Sequence, residues 1–306
     1  MQLFKRLVFV SVVFVFSTAI IAQTRQIAVT IDDLPVVSTR KDIATRRTIT
    51  RSLLDGIKKQ NIPAIGFVNE NKLHTDDKRD EAQVDLLRMW LDAGLELGNH
   101  TFSHMSLHDN PLDVFESDIL KGEIITKEIM ADRGLKPRYF RHPFLWTGLS
   151  LDIKRDLCEF LQKHGYTIAP VTVDNADYIF ARAYDNAFDK GDKAMLKKIG
   201  EAYVPYMESK IEYWERQSQK TLGREISQVL LMHANRINSV YVGDLAKMMK
   251  KRGYKFVSLE EALKDEAYQL PDTFIKRNGI SWLHRWALAK GKDTIVGDEP
   301  RVPEFV

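Results

Sequence analysis

Two adjacent carboxylates, Asp32 and Asp33, end a β-branched run in the segment IAVTIDDLP at 27–35. Paired acids repel each other. A cation beside one of them keeps both ionised and leaves the other free to handle a proton. The plainer reading of the same residues is a turn opening at Leu34-Pro35. Further on, HTFSH at 100–104 sets His100 and His104 four residues apart, and neutral imidazole is a preferred zinc ligand. With one Asp carboxylate these give two nitrogens and an oxygen, and a position is left for water. That is catalytic in character, because structural zinc is closed by four ligands that commonly include Cys, and the chain has only Cys158. His108 extends the spacing and is a rival ligand, although no strand end positions it.

The elements that must position these residues are legible from Gln26 onward, where short apolar runs alternate with longer amphipathic ones. Strands are expected at 27–31, 64–68, 95–98, 139–141, 167–173, 229–232 and 255–257, and helices at 43–60, 81–93, 113–132, 151–164 and 240–252. Gly94, Gly134, Gly165 and Gly253 supply helix C-terminal signals. Repeated strand-helix units imply a parallel sheet, and seven strands suit a barrel or a doubly wound sheet. On this scheme Asp32 and Asp33, His100 and His104, Arg141 and His142, Asp174 and Asp177, and His233 all follow carboxyl ends of strands. In a parallel barrel those ends converge on one mouth.

Composition bounds the rest. A hydrophobic content of 44% and a charged content of 28% describe a globular chain, and a formal charge of +3 with interspersed signs gives no footprint for nucleic acid. Residues 1–22, with two early cations, an apolar stretch to Ile21 and a small Ala22, read as a secretory signal peptide. The mature chain is therefore expected to be exported, to the periplasm, cell wall or medium, with no membrane span once the signal is removed. Cys158 has no internal disulfide partner and reads as a buried thiol.

TIDDLP, HTFSH, RHPF, DNADY and LLMH, in this order, resemble the five motifs of the polysaccharide deacetylase family, the NodB-homology or carbohydrate esterase family 4 domain. The resemblance spans about 26–262. It implies a distorted (β/α) barrel with about seven parallel strands, and a divalent metal, usually zinc, that serves removal of N-acetyl groups from chitin-like or peptidoglycan-like carbohydrate. Carried over by position, it makes Asp32 the general base and Asp33, His100 and His104 the metal ligands. It makes Arg141 the residue that orients the base, His233 the general acid and Asp177 that histidine's partner. Phe144 would offer a backbone N–H to the oxyanion, Leu231 would line the acetyl-methyl pocket, and Tyr178 would lie in the groove. An O-acetyl esterase or small-amide hydrolase with the same site, and a carbohydrate-binding protein without catalysis, are the alternatives.

Departures fall on the groove. Leu34 stands where the family has Gly, Phe144-Leu145 replaces Tyr-Gly, and Tyr178 replaces Trp. The domain is expected to cover 23–265, with a long helical insertion at 178–226 and a C-terminal extension at 266–306. Tyr203, Tyr206, Tyr213 and Trp214 in the insertion either decorate a connection or wall the groove with rings that stack on sugars. Trp282 and Trp286, at helical spacing in the extension, read as a stripe packed on the domain. His74, His164 and His284 read as surface or capping residues.

Overall fold

A computed structural model describes residues 25–292 and 297–306. The expected signal peptide lies outside the described residues. The β-branched run forms the centre of β1 (Arg25–Val37), which is hydrogen-bonded in parallel to β2 (Ile65–Val68), β8 (Gln228–Asn235) and β9 (Tyr254–Phe256). Beyond β2 lie β5 (Glu96–Asn99), β6 (Tyr139–Phe140) and β7 (Thr167–Ile168), giving the order β7-β6-β5-β2-β1-β8 with β9 on β1. A small antiparallel hairpin, β3 (His74–Thr75) with β4 (Lys78–Arg79), stands apart.

The main sheet is parallel throughout and curls back on itself. Val173 bridges to Leu230 of β8, with Val173 N donating to Val229 O at 3.0 Å and Leu231 N to Val173 O at 3.1 Å. The expected strand at 167–173 is therefore interrupted, with regular pairing ending at Ile168. Pro170 has no N–H for a ladder. Thr172 compensates, its Oγ1 accepting from Val229 N at 2.7 Å.

Helices cover this sheet: α1 (Ile43–Lys59), α2 (Glu81–Asp92), α3 (Leu112–Lys121), α4 (Ile124–Ala131), α5 (Leu151–Lys163), α6 (Asp177–Asp189), α7 (Lys193–Leu222) and α8 (Arg236–Lys251), followed by the short α9 (Leu259–Ala262) and α10 (Trp282–Ala289). Two of the helix expectations need correction. The single helix at 113–132 is two helices, because the chain breaks at Gly122 to receive the HTFSH loop. A Cβ at Gly122 would lie 2.4 Å from Phe102 N and from Thr101 C. The helix expected from Val240 begins four residues earlier, where Asn235 caps it by accepting from Asn238 N at 2.9 Å.

The long α7 is not a polar wall. Tyr203, Tyr206, Tyr213 and Trp214 are all buried in the main core. Trp282 and Trp286 of α10 join the same core. His284, expected at the surface, is instead buried between Tyr213 and Trp214, with Nε2 2.9 Å from the Tyr213 hydroxyl. An apolar stripe at helical spacing carries any intervening residue inward when its helix is enclosed on both sides. Cys158 is half-buried.

Candidate active site

The strand ends converge as the alternation implied. Asp32, Asp33, His100, His104, Phe144, Tyr178, Leu231 and His233 line one cavity of about 530 Å³. Asp32 continues the ladder opposite His233, whereas the register shifts after it, and Asp33 takes a left-handed φ of 67°. That break turns two successive carboxylates into the same mouth, where a regular strand would send them to opposite faces. Leu34, on the departure from the family pattern, occupies the space left by Gly66 of β2, where a Cβ would meet its Cδ2 at 2.5 Å.

His100 and His104 come from a loop, with left-handed φ at Thr101 (65°) and His104 (56°). The loop is held on α3, where Ser103 N donates to Asp118 Oδ2 at 3.0 Å and Phe102 N to Asp118 O at 3.0 Å. His100 Nδ1 lies 2.7 Å from Arg141 O, so Nδ1–H donates to that carbonyl and Nε2 faces the acids. Asp33 Oδ1 lies 3.8 Å from His100 Nε2 and 3.6 Å from His104 Nε2. One ligand atom from each of the three residues falls within 4.8 Å of the others. This fits a divalent ion: Asp33 Oδ1 is buried with no hydrogen-bond partner among the described residues, and both imidazoles turn Nε2 toward it. His108, the rival ligand, stacks on Trp146 at 4.8 Å and accepts from Gly148 N through Nε2, so it takes no part.

Beside the triad, Asp32 is buried with Oδ1 unpartnered. Burial pushes its carboxyl up to about 6, against the attraction of Arg141. Arg141 is fully buried; its Nη1 lies 3.6 Å from Asp32 Oδ2, and its Nη2 donates to Thr30 Oγ1 at 2.9 Å. Asp33 differs sharply from its neighbour. Burial alone would raise it, but Lys72, then His233, His100 and His104, hold it well below the usual carboxylate range.

His233 Nδ1 meets Asp177 Oδ1 at 2.7 Å, and Asp177 Oδ2 accepts from His233 N at 2.9 Å and from Asn238 Nδ2 at 2.6 Å. Burial opposes charge on this imidazole, yet the Asp177 carboxylate overrides it and pushes His233 up to about 9. Leu231 is buried at the cavity wall, its carbonyl held by Asn175 Nδ2 at 2.6 Å. Phe144 and Tyr178 are half exposed at the rim, their rings against His104 (4.3 Å) and His233 (6.2 Å).

Phe144 and Leu145 both adopt left-handed φ, 58° and 55°. Such residues cost of order 1–3 kcal/mol each and persist where the surroundings fix them. Arg285 of α10 does so, its Nη2 donating to Leu145 O at 2.5 Å while Nη1 bonds Asp272 Oδ2 and Thr147 Oγ1. The turn's own bonds run from Leu145 N to His142 O and from Trp146 N to Pro143 O, which leaves the Phe144 N–H outside them.

Several lining residues carry no signal in the sequence. Trp146, Asn175 and Asn235 are such residues; Asp174, which burial pushes up to about 6, and His142, both expected at strand ends, line the cavity too. β6 stops at Phe140, so alternation no longer governs His142. Lys72 is a further unforeseen neighbour of the triad.

A parallel sheet curled into a half-barrel, with a three-residue cluster able to hold a metal ion among acids and imidazoles at its mouth, is the NodB-type fold. The polysaccharide deacetylase family model matches residues 21–169, and over that span the chain resembles that family. No curated protein matches it by sequence. Among solved structures it is similar to the chitin deacetylase of the fungal pathogen Colletotrichum lindemuthianum, at 22% identity over 80% of this chain and 89% of that one, with a TM-score of 0.54. It is also similar to a CE4 family pseudoenzyme of Bacillus anthracis, at 16% identity over 79% of this chain and 66% of that one, and to a mutant of that protein with restored enzymatic activity, at 18% over 79% and 68%, each with a TM-score of 0.52. At these identities the likeness is one of fold.

Proposed function

We propose that the chain is an exported, metal-dependent hydrolase that removes N-acetyl groups from a chitin-like or peptidoglycan-like amino-sugar polymer or oligomer. The observation that carries this is the presence, in one cavity, of the Asp33–His100–His104 cluster together with two proton-handling groups pushed in useful directions. Asp33, His100 and His104 would hold a divalent ion, most simply zinc, which supplies a Lewis acid for water and for the acyl carbonyl.

The chain's own residues account for the remaining demands of amide hydrolysis. Asp32, ionised above about pH 6 and with Oδ1 unpartnered, is placed to take a proton from the attacking water. Arg141 keeps that carboxylate ionised and oriented. His233, cationic at neutral pH, is placed to protonate the departing nitrogen, and Asp177 fixes its tautomer by accepting at Nδ1. The free Phe144 N–H suits a developing oxyanion, Leu231 suits the acetyl methyl, and the exposed rings of Phe144 and Tyr178 suit sugar faces.

Acetate release from chitooligosaccharides, peptidoglycan fragments and acetyl-xylan, with and without a chelator, tests the reading. Release from the N-acetylated substrates, abolished by the chelator and restored by zinc, is expected. Release from acetyl-xylan alone would replace the proposal with an O-acetyl esterase, and release from none of the panel would favour a binding protein.

A further inference from the structure

Lys72 belongs to none of the five motifs, yet it sits against the metal cluster. It stands in the 3₁₀ turn Glu70–Leu73 that follows β2. Its Nζ donates to the carbonyl oxygen of Asp33 at 3.0 Å and lies 3.5 Å from Asp33 Oδ1. Oδ1 is the same oxygen that faces both His100 Nε2 and His104 Nε2, so it is the atom that would bind an ion. An ammonium group is thus the third neighbour of the ligand oxygen.

The lysine is held there. Its turn is tied to the histidine loop, with Asn71 N donating to Phe102 O at 3.0 Å and Asn69 Nδ2 to His100 O at 2.6 Å. Glu70 of the same turn accepts from Ile125 N at 3.0 Å and Thr126 N at 2.6 Å, anchoring it to the start of α4. Only a quarter of the Lys72 side chain is exposed, so solvent screens its charge poorly.

We propose that Lys72 is a positioning residue that lowers the affinity of the Asp33–His100–His104 site for its divalent ion. Its hydrogen bond to the Asp33 carbonyl clamps the left-handed backbone that aims the carboxylate. Its charge draws on the ligand oxygen and opposes a dication beside it, so the ion is held more loosely and exchanges faster than the three donors alone would allow. The two effects separate by chemistry, because an amide can still donate to the carbonyl but carries no charge. The inference rests on the metal-site reading proposed above.

The test compares the full mature chain with K72Q, K72M and K72R, measuring zinc Kd by competition with a chromophoric chelator, zinc release into excess chelator, and Tm without metal. K72Q is expected to bind zinc at least tenfold more tightly than the unaltered chain and to release it more slowly. K72R, which keeps the charge, should stay near the unaltered value, and K72M, which also loses the clamp, should gain less than K72Q. A structural role alone would not tighten binding. Equal or weaker binding by K72Q at an unchanged Tm would overturn the inference, as would tightening by K72R to the same degree. Zinc binding by none of the four proteins would remove the metal reading itself, whereas binding by K72Q and not by the unaltered chain would support both.

Discussion

The pairing of His233 with Asp177 predicts how the pH profile responds to Asp177→Asn. In the folded chain, burial works against charge on His233, and the Asp177 carboxylate reverses that to leave its pKa near 9. The substitution keeps the side chain's shape, and its amide oxygen can still accept from His233 N and Asn238 Nδ2. Its NH₂ faces Nδ1, however, and has no charge to hold a cation, so burial governs and the imidazole returns to 6.5 or below. With the imidazole at about 6.5 the protonated fraction at pH 8 falls from about 0.9 to about 0.03, a loss of roughly 30-fold, while at pH 6 the loss from this cause is less than about twofold. The assay is kcat/KM for acetate release across pH 5.5–9.5, expressed through about 1.36 kcal/mol per unit of pKa shift. A basic limb that stays near 9 while activity drops uniformly would refute the reasoning, and a metal-free melting curve guards against a folding defect.

Other expectations follow from the same contacts. The folded pKa of His233 is raised, so its contribution to stability is complete below its ordinary value of 6.5 and is lost as pH rises through about 9; the Tm of the unaltered metal-free chain should therefore decline across that window more than that of D177N. Arg141→Met strands the buried Asp32 carboxylate, which should cost about 3 kcal/mol in urea unfolding and move the acidic limb of the pH profile upward. Trp214→Ala should cost about 3–5 kcal/mol of stability, because Trp214 is core and donates to Asp174 O at 2.7 Å. It should leave relative rates across an oligomer series unchanged, and a length-dependent change would return a sugar-stacking role to α7.

Positions set by periodicity were readable from the residues. The parallel strands and the convergence of their ends follow from alternation, and the grouping of Asp33 with His100 and His104 from the resemblance to the family's motifs. What escaped depends on contacts made through space. The break of the 113–132 helix is dictated by a loop packing on Gly122, and no local signal in an amphipathic run announces a neighbour. Pro170 is a local signal against a continuous strand at 167–173, because it has no N–H for the ladder. His284 and the aromatic rings of α7 are inside because α7 and α10 cover each other, which neither helix's own pattern specifies. Lys72 reaches Asp33 from 39 residues away across β2, a pairing that only the register of β1 on β2 creates.

The central claim is that two adjacent carboxylates have different jobs, and zinc binding and activity measured together on Asp32→Asn and Asp33→Asn test it most directly. Asp32→Asn keeps all three ligands, so it should bind zinc within about threefold of the unaltered chain and lose at least about a hundredfold in acetate release, with no recovery on adding zinc. Asp33→Asn replaces a charged ligand by a neutral one, so it should bind zinc at least about tenfold more weakly and recover part of its activity as zinc is raised. Equal loss of zinc by both variants, with rescue of both, would make the two acids joint ligands and contradict the account.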